Sequence, residues 1–123
     1  MPPEGRDAAY LWDIVEAART IRDFTNDVSL ADYASDRKLQ LATERALEIV
    51  GEAARRLSDS FRAEHPEVPW PQLIAQRNVL AHEYGEIKKE RIWLVATQRI
   101  PELIGILEPL LPASPTPESP PAD

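Results

Sequence analysis

The sequence contains no cysteine, which excludes disulfides and thiolate chemistry and suits a reducing compartment. No apolar run approaches the roughly 20 residues that a bilayer-spanning helix requires. The opening Met1-Pro2-Pro3-Glu4-Gly5-Arg6-Asp7 lacks the basic-then-apolar pattern of a secretion signal. Together these absences predict a cytoplasmic protein. There is no glycine-rich phosphate loop and no Ser/His/Asp spacing suited to nucleophilic catalysis. The two histidines, His65 and His82, stand far apart without companion ligands, so no zinc site is expected and no cofactor is implied. Positive charge is scarce as well. Fourteen Lys and Arg face 21 Asp and Glu, a net charge of −7. Such a chain should not coat nucleic acid by counterion release. One phosphate could still be held locally, since Arg77, Lys88, Lys89 and Arg91 cluster in sequence, diluted by Glu83, Glu86 and Glu90.

What is present reads as helix. The chain has 123 residues, 43% of them hydrophobic and 28% charged, which suits one globular domain. No period-two alternation and no internal repeat interrupt the pattern. Leu11, Ile14, Val15, Ala18, Ile21 and Phe24 or Thr25 follow helical steps, predicting a first helix over about Asp7 to Asn26 with Asp7 as a possible cap. Ser29 to Tyr33 reads as a short helical turn or a loop. Ser35 or Asp36 caps a long helix whose buried stripe is expected at Leu39, Ala42, Ala46, Ile49, Ala53 and Leu57. Gly51 inside it predicts close approach by a neighbour, and Glu52–Arg56 forms a favourable surface pair. A short helix over Ser60 to Glu64 ends at His65-Pro66. Another carries Leu73, Ile74, Arg77 and Leu80 after Pro71, and stops near Gly85. The last starts near Lys88, buries Ile92, Val95, Ala96, Ile100, Leu103, Ile104 and Leu107, and should kink at Pro101. Trp12, Trp70 and Trp93 are read as core or interface anchors. Glu44, Glu48 and Glu52 recur every four residues, more as a solvated face than as a divalent-cation site.

The fold predicted is all-α, an up-down bundle of four to five helices that dimerises. Residues 7–111 form the domain, residues 1–6 a flexible N-terminus, and residues 112–123, which hold five of the twelve prolines, a disordered proline-rich tail.

Chemistry concentrates in Arg77-Asn78-Val79-Leu80-Ala81-His82-Glu83-Tyr84. Arg77 can grip a phosphate bidentately and hold charge developing on its oxygens. His82, with a reference pKa of about 6.5, can exchange a proton near neutrality. Asn78 can donate to a phosphoryl oxygen or orient the imidazole, and Tyr84 supplies a hydroxyl. The set suits metal-independent cleavage of RNA, in which a ribose 2′-hydroxyl attacks the adjacent phosphorus. On an ideal helix Asn78 and His82 share a face, whereas Arg77 and His82 lie about 140° apart. Either the helix ends near Ala81 and frees His82, or two copies of the motif meet across a two-fold axis. A lone histidine on such a helix is more often structural than catalytic.

These residues resemble the signature of the HepT-like members of the HEPN superfamily, an arginine, four to six residues, a histidine and then a tyrosine. The segment Glu44-Arg45-Ala46-Leu47-Glu48-Ile49-Val50-Gly51-Glu52-Ala53 is similar to that family's long helix, and Pro69-Trp70 and Trp93 stand at matching distances. The resemblance implies an all-helical homodimer that acts as the endoribonuclease toxin of a type VII-like toxin–antitoxin pair. Its site would lie in a cleft between subunits, with Arg77 and His82 catalytic and Asn78 supporting. It also implies a cognate minimal nucleotidyltransferase antitoxin that transfers AMP to Tyr84. The alternative is a non-catalytic helical dimer that binds such a nucleotidyltransferase.

Overall fold

Helix starts in this chain fall where a short polar side chain can take up a free backbone N–H. Ser29 accepts from the N–H of Asp32, Asp36 from that of Leu39 and Ser58 from that of Phe61. The helices that follow are α2 (Leu30–Ala34), α3 (Arg37–Arg56) and α4 (Asp59–Glu64). α1 (Gly5–Thr25) precedes them, and α5 (Trp70–His82), α6 (Gly85–Leu94) and α7 (Ile100–Leu107) complete the chain. The computed structural model describes residues 5–82 and 85–112. The side chains of residues 77–79, 81, 82, 86 and 87 lie outside the described set, as do residues 1–4, 83–84 and 113–123 altogether. Most of the expected flexible N-terminus and proline-rich tail therefore falls outside the described residues.

α6 and α7 form one rod, joined by a single π-helical turn at Val95–Arg99. The cause is local. Pro101 has no N–H to offer the carbonyl of Thr97 and its ring would collide with it. The backbone widens just before, so that the N–H of Ile100 donates to the carbonyl of Val95, five residues back. Thr97 Oγ1 donates to the carbonyl of Trp93 at 2.8 Å. The expected disruption at Pro101 is thus a wide turn within a continuous rod. Counted this way, four long helices and the short α2 and α4 make an all-α bundle with no strand among the described residues. Ser29 to Tyr33, open between turn and loop from sequence, belongs to a helix.

α1 packs along α3 and α7, α3 also lies against α5, and α2 contacts α3 and α6. α1 buries Leu11, Ile14, Val15, Ala18 and Ile21, and Thr25 rather than Phe24 closes its stripe. The last rod buries Ile92, Ala96, Ile100, Leu103, Ile104 and Leu107. Each such aliphatic side chain stabilises the fold by about 1.5–3 kcal/mol relative to exposure.

Two sequence expectations need correction. The buried face of α3 is Gln40, Thr43, Ala46, Leu47, Val50, Gly51, Ala53 and Ala54. Leu39 and Ala42 are only half-buried and Ile49 is exposed. Packing on two sides, against α1 and α5, rotates the core face away from the Leu39–Ile49 line. Gln40 belongs inside because its Nε2 donates to the carbonyls of Tyr33 and Ala34 at the end of α2, at 2.9 and 3.0 Å. Asp7 does not cap α1, which begins two residues earlier. Its carboxylate instead accepts from the N–H of Ser58 at 2.9 Å and from Ser58 Oγ at 2.6 Å. It thereby fixes the residue that caps α4.

Candidate active site

The motif from Arg77 to His82 is carried by α5. The start of α5 is anchored firmly: the Trp70 indole Nε1 donates to the carbonyls of Arg62 and His65, at 3.2 and 2.9 Å, and its ring packs edge-on against Phe61. Pro71 occupies the first turn, where a missing N–H costs nothing. Leu73 and Leu80 are buried and hold the helix to the core. The backbone remains helical through His82, so Arg77, Asn78 and His82 all stand in the last two turns of α5. The side chains of Arg77, Asn78 and His82, and the whole of Tyr84, lie outside the described residues. α6 begins at Gly85, three residues before the expected start at Lys88, with a φ of +64° that a β-carbon would strain. The glycine anticipated as a helix stop is thus the first residue of α6.

The surroundings of the start of α6 are partly acidic and closely paired. Lys88 Nζ lies 3.1 Å from Glu44 Oε1, with only about a fifth of either side chain exposed. Lys89 Nζ donates to the carbonyl of Ala34 at 3.0 Å. The basic cluster read from sequence therefore does not present Lys88 and Lys89 as free cations; both are bound to α3 and α2. The expected glutamate ladder is likewise divided among cations. Glu44 meets Lys88, Glu48 meets Arg45 at 3.4 Å, and Glu52 accepts from Arg55 at 2.7 Å and Arg56 at 3.0 Å. Among the described residues no cluster of His, Cys, Asp or Glu could hold a metal ion. His65 stacks on Phe61 with ring centroids 4.6 Å apart, which makes it part of the α4–α5 corner.

Next to Glu44, Tyr33 is fully buried against Trp93, with ring centroids 5.2 Å apart. Burial, reinforced by the Glu44 carboxylate, raises its phenol well above the ordinary tyrosine range. It is therefore a neutral packing residue at every physiological pH. A cleft of about 480 Å³ runs between the first half of α5 and the α7 rod, floored by Leu73, Val95, Leu103 and Ile106. Among the described residues its α5 wall is Gln72, Leu73 and Gln76. No local sequence signal points to this cleft or to the Glu44–Lys88 pair, because both depend on residues distant in the chain.

The family model described as "Ribonuclease HepT-like" matches residues 14–110. The chain belongs to the HepT-like ribonuclease family. "Probable ribonuclease HepT" of Thermococcus cleftensis is 39% identical over 101 residues, covering 82% of this chain and 92% of the relative. Two proteins of Methanocaldococcus jannaschii that carry RNase names are 35% and 37% identical, covering 77% and 84% of this chain and 87% and 85% of their own lengths. No solved structure matches. The HepT-like match spans α5 and the whole motif, and it stops before the proline-rich segment. Among the described residues no helix is long and apolar enough to cross a membrane.

Proposed function

We propose that this HepT-like chain is a metal-independent endoribonuclease, the toxin of a type VII-like toxin–antitoxin pair. The observation that carries the reading is an intact Arg77-to-Tyr84 motif inside the matched stretch, its Arg77-to-His82 backbone forming the final turns of α5. In the reaction, the 2′-oxygen bonds to phosphorus while the bond to the 5′-oxygen breaks, leaving a cyclic phosphate and a 5′-hydroxyl. The His82 imidazole acts in the proton transfers, a role worth about 10²–10⁴-fold. Arg77 holds the charge that builds on the phosphorane oxygens, with Asn78 supporting. RNA rather than DNA follows from the need for the 2′-hydroxyl.

Helical backbone through His82 bears on how these groups meet. Five positions along one helix put Arg77 and His82 about 140° apart. α5 ends at His82, one residue beyond Ala81, and two copies that pair could each supply part of the site. With Lys88 and Lys89 bound to α3 and α2, Arg77 becomes the principal cation for the scissile phosphate in an acidic protein. Regulation follows from the same spot. A cognate minimal nucleotidyltransferase transfers AMP from ATP to the Tyr84 oxygen with release of pyrophosphate. The added phosphate and nucleoside then block the cleft beside Arg77 by charge and bulk.

The deciding experiment is cleavage of RNA by the purified chain in chelator, with His82→Ala as control. Cleavage by the parent and none by a folded, equally assembled His82→Ala is expected. Equal cleavage by both would remove the reading. Intact RNA with the unmodified parent, combined with co-purification of the nucleotidyltransferase, would leave a non-catalytic binding partner. Co-expression with that partner is expected to add adenylyl mass to the chain, and Tyr84→Phe to abolish it. An adduct that persists in Tyr84→Phe would assign another acceptor.

A further inference from the structure

The start of α6, just after the motif, is fastened by groups that the motif does not contain. Within five residues of Gly85, Lys88 makes a four-fifths buried ion pair with Glu44 of α3 at 3.1 Å. The next residue, Lys89, donates to the carbonyl of Ala34 at the end of α2 at 3.0 Å. One turn on, the Trp93 ring lies against Tyr33 of α2. α5 is fastened independently, through Trp70 at its start and Leu73 and Leu80 along its length. α6 opens on Gly85 in the left-handed region, a conformation that does little to limit the chain by itself. The relative placement of the end of α5 and the start of α6 therefore depends on how α6 is attached to α2 and α3.

We infer that Glu44 and Lys88 are positioning residues for the ribonuclease reaction: their ion pair fixes the start of α6, which follows the motif directly in the chain. The inference rests on the function proposed above. Its chemistry is specific. A pair taken mostly out of water has a fixed geometry and a strong penalty for losing one partner, unlike the exposed pairs of Arg45 with Glu48 and Arg99 with Glu102. The pair also links segments 44 positions apart in sequence, so its loss frees α6 without breaking any helix. Displacement of a catalytic group by about 1 Å can lower turnover by about 10²-fold, so a loosened start of α6 should be read first in turnover.

The test uses the full-length chain with Glu44→Gln, Lys88→Met and the exchange Glu44→Lys/Lys88→Glu. Three quantities are measured: kcat and KM for RNA cleavage, thermal unfolding, and hydrogen exchange of the amides from Gly85 to Lys89. The singles are expected to lose ten-fold or more in kcat with KM within two-fold, to unfold in one cooperative transition, and to exchange faster at those amides. The exchange variant should recover part of the lost kcat, beyond the product of the two single effects. Singles whose kcat stays within two-fold of the parent would overturn the inference, as would an exchange variant no better than that product. A parent that cleaves normally while Glu44→Gln is unaffected sinks this inference alone. A parent that does not cleave RNA sinks the ribonuclease reading together with the pair's catalytic role.

Discussion

α3 and α5 lie against each other but are built on opposite plans. α3 segregates its residues: one face is buried from Gln40 to Ala54, and the other carries Arg45, Glu48, Glu52, Arg55 and Arg56 in surface ion pairs. α5 does not segregate. Apolar Leu73, Ile74, Val79 and Leu80 alternate with Gln72, Gln76, Arg77, Asn78 and His82 around the helix. A helix that serves only the core can sort its faces cleanly. The weak segregation of α5 is what the proposed function calls for, since a helix that grips the core and also carries reactive groups cannot sort its faces. Trp70 and Leu73 anchor its start.

The sharpest way to break this contrast is to mutate each helix and read both activity and stability. His82→Ala on α5 is expected to cost about 10²–10⁴-fold in RNA cleavage with little change in melting. Leu47→Ala on α3, at a site 1% exposed, should cost about 2–5 kcal/mol of stability and leave the activity per folded molecule intact. Reversed outcomes, with His82→Ala strongly destabilised and Leu47→Ala inactive but stable, would show that the division of labour is wrong. A smaller effect is expected where α1 meets α4. Asp7→Ala strips Ser58 of two hydrogen bonds and should lower stability by about 1–2 kcal/mol, visible in chemical unfolding. No loss there would mean that Ser58 caps α4 without help.

The smallest effect belongs to the polar face of α3. Hydrogen bonds from Arg55, and next from Arg56, hold the Glu52 carboxyl down from 4.5 to about 2. Because the folded value is depressed, the contribution is fully present above pH 4.5 and is lost as the pH falls from there towards 2. Glu52 sits at the surface, where solvent screens the pairs. Glu52→Gln should therefore differ slightly from the parent at neutral pH, and the difference should shrink through that acid window. A difference that stays constant from pH 5 to pH 2 would show that the pairs carry no part of it.

Much of this architecture was legible from local chemistry. The cap at Asp36, one of two candidates, the end at His65-Pro66, the stripe of α1 and that of the last rod, except for the half-buried Val95, all follow from residues near one another in sequence. What escaped depends on partners far along the chain. The phase of α3 turned because two helices press on it, drawing Gln40 and Thr43 inside and leaving Ile49 out. Asp7 looked like a cap and is instead a brace for Ser58, 51 residues away. Arg77, Asn78, His82 and Tyr84 stood out by residue type and spacing. The roles of Lys88 and Lys89 did not, because a lysine beside a candidate phosphate site looks the same in sequence whether it faces a substrate or a glutamate on another helix.

The wide turn before Pro101 has a consequence for the rod as a whole. Ile92, Ala96, Ile100 and Ile104 recur in steps of four, and on a 3.6-residue helix each such step swings the side chain about 40° further round the axis. Three steps would carry Ile104 a third of a circle away from Ile92. A turn closed by a longer ring takes in more residues per circuit and cancels part of that precession, so all four aliphatic groups can look into one interior. Proline, usually an interruption, here works as a phase corrector that lets an oversized spacing fill a straight seam.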